Sequence, residues 1–220
     1  MTCVKGVILD LDGVIVDSEH LWERSWIDCC ESRGGTWTHE DTTTCQGMSA
    51  PEWARYLAEK VGTPDEAEAI QAECVDYVVE AIHAGQAPLL DRADDLVLKV
   101  SAQVPLGLAS SAARRVIDAV LEQHGIADRF TATVSSEEVP RGKPNPDVYA
   151  EAARRIGITP DTGIAVEDSS NGIRAAHAAG LTVVAIPNQQ YPPKPEALAL
   201  ATYVASDHGD ALDYLLSRLR

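Results

Sequence analysis

Five short apolar runs, spaced between helical stretches, constrain this 220-residue chain more than any other feature. Val4-Lys5-Gly6-Val7-Ile8-Leu9 comes first and ends abruptly at Asp10-Leu11-Asp12-Gly13. Leu106-Gly107-Leu108-Ala109, Ala132-Thr133-Val134, Gly163-Ile164-Ala165-Val166 and Thr182-Val183-Val184-Ala185-Ile186 follow. Each is continuous rather than alternating, the pattern of a strand buried on both faces of a parallel sheet. Helical patterns fill the intervals. Ala113 to His124 sets Val116, Ile117, Val120 and Leu121 on one stripe, and Asp147 to Ile156 and Gly172 to Ala179 read likewise. Each closes on a glycine just past its end, at Gly125, Gly157 and Gly180. The expected fold class is α/β, with a doubly wound (Rossmann-like) parallel sheet core.

One stretch breaks the alternation. From about Asp17 to Ala87 the periodicity is helical and no strand is apparent, with two helices expected over Ser49 or Ala50 to Val61 and over Pro64 to Ala84. All four tryptophans (Trp22, Trp26, Trp37, Trp53) fall here. The stretch holds 15 acidic and 4 basic residues, so 15 minus 4 places 11 of the 16 net negative charges within it. These shifts predict an all-helical cap domain over residues 17–87, inserted into a catalytic core of residues 1–16 and 88–220. Hinges are expected near Val16-Asp17 and between Gly85 and Pro88.

A net charge of -16 repels phosphate backbones and anionic lipid, so neither nucleic acid nor a membrane surface is an expected partner. No window holds eighteen unbroken apolar residues. The start, Met1-Thr2-Cys3-Val4-Lys5, lacks the charged and apolar regions of a signal peptide, which points to the cytoplasm. Cys3, Cys29, Cys30, Cys45 and Cys74 are odd in number and contain no C-x-x-C pair, so neither a disulfide framework nor a zinc site is expected. Nothing in the pattern demands more than a monomer.

Ligands of doubly wound sheets bind beyond the carboxyl ends of the strands. There the first strand delivers Asp10 and Asp12, then Gly13, which permits a tight turn with exposed amides. The next core strand delivers Ser110-Ser111, and Lys143 lies in the rigid loop Arg141-Gly142-Lys143-Pro144-Asn145-Pro146. The fourth delivers Glu167-Asp168, then Ser169-Ser170-Asn171-Gly172 opening a helix. Singly, each has an ordinary structural reading as a turn, a cap or a solvated lysine. Together, four carboxylates converging on one point call for a cation between them, and oxygen-only ligation suits Mg2+. A lysine with serine hydroxyls at a helix start makes a phosphate cradle. The set suggests an aspartate that attacks phosphorus, and a second carboxylate that protonates the leaving alcohol and then activates water.

These four segments, Asp10-Leu11-Asp12-Gly13-Val14-Ile15-Val16-Asp17-Ser18, Leu108-Ala109-Ser110-Ser111, Gly142-Lys143-Pro144 and Val166-Glu167-Asp168-Ser169, together resemble the haloacid dehalogenase superfamily. The subgroup they resemble carries a helical cap after strand one and includes phosphoglycolate-type phosphatases and β-phosphoglucomutase. The resemblance implies Asp10 as nucleophile and Mg2+ ligand, and Asp12 as general acid/base with its carbonyl on the metal. It implies that Ser110, Ser111, Lys143 and Gly13 hold the phosphoryl group, and that Asp168 and Glu167 complete the metal site, Glu167 directly or through water.

Phosphatase and mutase share this chemistry, so the cap must separate them. β-Phosphoglucomutases carry a histidine in the first cap helix, where this chain aligns Trp22, with His20 two residues earlier. Their basic cap loop corresponds here to Gln46-Gly47-Met48-Ser49-Ala50-Pro51, which has no cation. The expectation is a Mg2+-dependent phosphatase of a small phosphorylated metabolite, its leaving group set against Trp22, Gly47, Met48 or Trp53, with His20 nearby. A β-phosphoglucomutase-type mutase is the alternative. A phospho-acceptor signalling domain is more remote, because its acceptor lies on a later strand and it carries no helical insert.

Overall fold

The computed structural model describes residues 3–219. Six parallel strands form one sheet: β1 (Gly6–Leu9), β2 (Leu106–Ser110), β3 (Ala132–Ser135), β4 (Gly163–Glu167), β5 (Thr182–Ala185) and β6 (Tyr203–Val204), in the order β3-β2-β1-β4-β5-β6. The order reverses at β1, which pairs with β2 on one side and β4 on the other, so the loops leaving β1 and β4 diverge around a crevice. The strand side chains divide by period two. Val7, Leu9, Leu106, Leu108, Ile164 and Val166 enter one core, and Ile8, Ala109, Val134, Ala165 and Val183 the other. The second core is closed by α7 (Asp147–Arg155) and α8 (Ser170–Ala178). The first is closed by α5 (Ala93–Ser101), α6 (Arg114–Gln123) and α10 (His208–Arg218); α9 (Pro195–Leu198) is a short turn before β6.

Between β1 and β2 the chain is helical: α1 (Glu19–Ser32), α2 (His39–Cys45), α3 (Ala50–Lys60) and α4 (Ala67–His83) precede α5. The chain leaves and returns side by side, with Val16 bridging Leu89 and the Asp17 amide donating to the Pro88 carbonyl at 3.0 Å. The helix expected from Pro64 opens instead as a 3-10 turn over Pro64–Glu66, and the first strand begins at Gly6 rather than Val4. The two-residue β6 is too short to show a strand periodicity, and its Val204 is exposed.

The four tryptophans, spread over three separate segments, form one contiguous cluster. Trp26 lies 6.2 Å from Trp22, 5.8 Å from Trp53 and 5.9 Å from Trp37 by ring centroid. Beside this cluster Asp41 is buried and ties α2 to α3. It receives the Thr38 amide at 2.7 Å, the Tyr56 hydroxyl at 2.6 Å and the Lys60 ammonium at 2.9 Å. Burial alone would push its carboxyl up, but these donors outweigh burial and hold it well below the usual carboxylate range. A depressed carboxylate stabilises the fold fully above its unfolded pKa, and that contribution fades as pH falls through the folded value. Asp41→Asn is therefore expected to cost roughly 1–3 kcal/mol at pH 7. In urea denaturation the gap from the parent should narrow as the pH drops below about 4; a gap independent of pH would contradict the assignment.

Candidate active site

The crevice at the reversal of strand order collects the strand-end residues. Asp10 follows β1 directly, Glu167 ends β4 and Asp168 follows it. One carboxylate oxygen from each lies within 4.8 Å of the others, and all three residues are buried. Lys143 reaches in from the loop before α7. Its Nζ is 2.8 Å from Asp10 Oδ1 and 2.6 Å from Glu167 Oε1, with the side chain 2% exposed. The Tyr149 hydroxyl donates to the same Glu167 oxygen at 2.7 Å, while the Asp168 and Ser169 amides donate to the other. Glu167 thus holds Lys143 in place and fixes the β4 turn.

The charges do not balance among protein groups. One lysine faces Asp10, Glu167 and Asp168, with Asp12 alongside. Burial pushes Asp10 up; Lys143 opposes this, Glu167 and Asp12 add to it, and the carboxyl rises to about 8. Burial, then Glu167 and Asp10, raises Asp168 well above its ordinary value. Lys143 is raised as well. Burial disfavours its charge, but Asp10 and Glu167 outweigh burial and keep it protonated. A buried oxygen cluster with surplus negative charge fits a hard divalent cation, and Asp10 and Asp168 are the carboxylates that would hold it. Asp168 is steadied by the Asn188 amide, whose Nδ2 donates to Oδ2 at 3.1 Å.

Asp12 sits apart from this cluster. Its Oδ1 accepts a very short hydrogen bond from the Ser18 hydroxyl and one from the Trp22 indole at 3.2 Å. Burial raises the Asp12 carboxyl and these donors only partly offset it, so the proton-carrying form is favoured relative to a solvated aspartate. Gly13 makes the turn possible. It has φ of +76°, and a Cβ there would overlap the Asp168 carboxylate. Gly13→Ala is expected to displace Asp168 and cut turnover at least about 100-fold while costing only about 1–2 kcal/mol of stability. Parallel kinetics and thermal melts check this, and a variant of normal turnover would contradict the packing.

A cavity of about 90 Å³ opens above the carboxylates. Asp10, Asp12, Lys143, Asp168 and Ser111 line its floor, with Trp22, Gly47, Met48 and Trp53 toward the helical segment. Four expected residues are not part of its lining: Gly13 and Glu167, which stand behind it in the roles above, and His20 and Ser110. His20 does not line it: a two-residue step on a helix turns about 200°, so His20 points away from the Trp22 face. Its half-exposed ring lies 3.6 Å from the Asp17 carboxylate. Ser110 is fully buried, and its Oγ accepts from the Ala112 amide at 3.0 Å. Ser111 is the serine that borders the cavity, and its hydroxyl donates to the Gly47 carbonyl at 3.1 Å, joining the core to the α2–α3 loop.

Residues the motifs did not indicate also border the cavity, among them Glu19, Trp26, Gln46 and Tyr191. Glu19 begins α1, and Trp22 and Trp26 follow at spacings of three and seven, so one helical stripe faces the cavity. Burial, then the neighbouring Asp12, pushes Glu19 up to about 7. The spacing was legible; which face of α1 met the crevice was not.

The chain matches the sequence profile described as "Haloacid dehalogenase-like hydrolase" over residues 7–186. Hexitol phosphatase B of Escherichia coli (strain K12) is 31% identical over 193 residues, which cover 84% of each protein. Among solved structures, β-phosphoglucomutase from Clostridium difficile superposes with a TM-score of 0.84 at 23% identity, over 98% of this chain and 97% of that one. CbbY from Rhodobacter sphaeroides, solved with phosphate, superposes at 0.83 and 22% identity, over 94% and 96%. The two structures share the fold; the profile and the E. coli relative go further, and the chain belongs to the haloacid dehalogenase-like hydrolases.

Proposed function

We propose that this hydrolase is a Mg2+-dependent phosphatase of a small phosphorylated metabolite, acting through an aspartyl-phosphate on Asp10. The observation that carries the reading is the pairing of two buried carboxylates, two residues apart, with different partners. Asp10 is clasped by Lys143 at the end of β1, while Asp12 lies two residues on, raised by burial and bonded away from Lys143. The carboxylate beside the lysine is placed to attack, and the one bonded to neutral donors to carry a proton.

Asp10 attacks phosphorus and the P–O bond to the leaving alcohol breaks. Asp12 delivers its proton to that oxygen, then recovers one from the water that attacks the phosphorus of the aspartyl-phosphate, releasing phosphate and restoring Asp10. Lys143 neutralises charge on the transferring group, held at the correct height by Glu167 and Tyr149. Bound Mg2+, held by Asp10, Asp168 and the Asp12 carbonyl, would lower the repulsion between nucleophile and phosphate. Residues 17–87 act as a cap on the core, with the paired crossing at Val16 and Leu89 as its pivot.

A phosphatase is favoured over a mutase by the cavity itself. Among the described residues lining it, Lys143 is the one lysine or arginine, and it is committed to Asp10 and Glu167. A second phosphate, which a mutase must grip, would face Glu19 instead. The name of the E. coli relative points the same way. The test is a single turnover with 32P-labelled substrate, quenched in acid. Label that stays on the protein, is released by hydroxylamine and requires Mg2+ is expected. Hydrolysis that persists in EDTA with no labelled protein would overturn the mechanism.

A further inference from the structure

The loop after β5 ties the carboxylate cluster to the helical segment, and one side chain makes the tie. Asn188 Nδ2 donates to Asp168 Oδ2 at 3.1 Å, while its Oδ1 accepts the backbone amides of Gln190 at 2.9 Å and Tyr191 at 3.0 Å. With two amides pointing at the oxygen, the nitrogen has to face the carboxylate, so the side chain cannot be reversed. The loop stands with both feet on the β4–α8 turn. Asn188 is one foot, at Asp168; the other is the Lys194 amide, which donates to the Ser170 hydroxyl at 2.8 Å.

Between these feet Gln189 and Gln190 are exposed, and Tyr191 turns inward to border the cavity. Its ring stacks on His39, the first residue of α2, with centroids 5.7 Å apart and planes 20° from parallel. Burial, then Glu23 and Glu19 of α1, pushes the Tyr191 hydroxyl up to about 12, so the tip of this core loop stands among residues of the helical segment. The contact is additional to the chain crossing at Val16 and Leu89. A cap that swings on that crossing breaks the stack when it lifts, and the turn at 188–191 then loses its partner. A seated Tyr191 fixes the turn, the turn fixes the Asn188 amide, and the amide fixes the Asp168 carboxylate.

We propose that Asn188 is a positioning residue that couples the cation site to the docking of the cap, orienting Asp168 with one end of its side chain and seating Tyr191 against His39 with the other. This rests on the Mg2+ site and the cap of the phosphatase reading and adds a link between them. Such a coupling is reciprocal: if the seated cap favours the Asp168 arrangement that binds a cation, the cation favours the seated cap by the same factor.

The experiment measures Mg2+ dissociation constants by calorimetry on the full chain and its variants. Asn188→Ala is expected to bind Mg2+ about tenfold more weakly. Tyr191→Ala and His39→Ala leave every carboxylate and Asn188 in place, and His39 is exposed on the cap. Each should still weaken Mg2+ binding about threefold, and the double variant no further, because both remove one contact. A second readout uses the unmutated protein. Mg2+ should move the His39 imidazole resonance, assigned by its absence from His39→Ala, and the response should vanish in Asn188→Ala at saturating Mg2+. Unchanged Mg2+ affinity in Tyr191→Ala and His39→Ala would overturn the proposal and leave the phosphatase reading standing. So would a His39 resonance that ignores Mg2+ in the unmutated protein, or one that responds equally in Asn188→Ala. No Mg2+ binding to the unmutated protein would instead remove the metal from the phosphatase reading, and this proposal with it.

Discussion

Asp10→Asn is expected to abolish Mg2+-dependent phosphate release, with a loss on the order of 10⁴-fold or more, and to leave the fold intact or firmer. The first effect follows from removing the nucleophile. The second follows from the sign of the Asp10 shift. Its folded pKa of about 8 lies above the ordinary value of 3.8. An acid raised in this way supports the metal-free fold below its unfolded pKa, and that support is lost as pH rises toward 8. At pH 7 folding must therefore take up a proton on Asp10, a cost that the neutral amide avoids. Melting in EDTA should show the variant at least as stable as the parent, whereas Mg2+ should raise the parent's melting temperature more than the variant's. A variant strongly destabilised in EDTA would contradict this description of the cluster.

Lys143 gives the opposite stability effect. Removing it strips the cation from two carboxylates at once, because Nζ bridges Asp10 and Glu167. Breaking a buried ion pair from one side typically costs about 3–5 kcal/mol. Lys143→Ala is expected to lose stability on that scale, with turnover down by about 10²–10³-fold from the lost charge on the phosphoryl group. Glu167→Gln separates the two functions. Lys143 keeps Asp10 but loses its second anchor, so kcat should fall while KM moves little. Chemical denaturation and steady-state kinetics on the pair of variants check both. A Lys143→Ala protein as stable as the parent would show that the ammonium is not the charge holding the cluster together.

What the sequence made legible were the strand ends. Short β-branched runs buried on both faces announce a parallel sheet, and the polar residues at their ends, Asp10, Glu167 and Asp168, are ones the crevice gathers, joined by Lys143 from the loop before α7. Asn188 also follows a strand, three residues past the end of β5, and the same rule could have found it. The wall of the cavity was less legible, because it depends on the rotation of α1 against the core. Glu19, Trp22 and Trp26 share a face that His20 does not, and only the packing of the tryptophan cluster sets which face turns inward. Ser110 and Ser111 show the same limit. Both belong to one strand-end motif, yet a step of one residue turns Ser110 into the core and leaves Ser111 at the cavity. β6 escaped because two residues of edge strand carry no periodicity at all.

The most direct measurement follows the products. Hexitol and sugar monophosphates are incubated with the enzyme and Mg2+, and β-glucose 1-phosphate with a trace of the 1,6-bisphosphate is run beside them. Inorganic phosphate and glucose 6-phosphate are quantified together. The account predicts phosphate release from monophosphates, lost in EDTA and in Asp10→Asn. Glucose 6-phosphate accumulating without phosphate release would contradict it, and would show that the cavity holds a second phosphate despite facing it with Glu19.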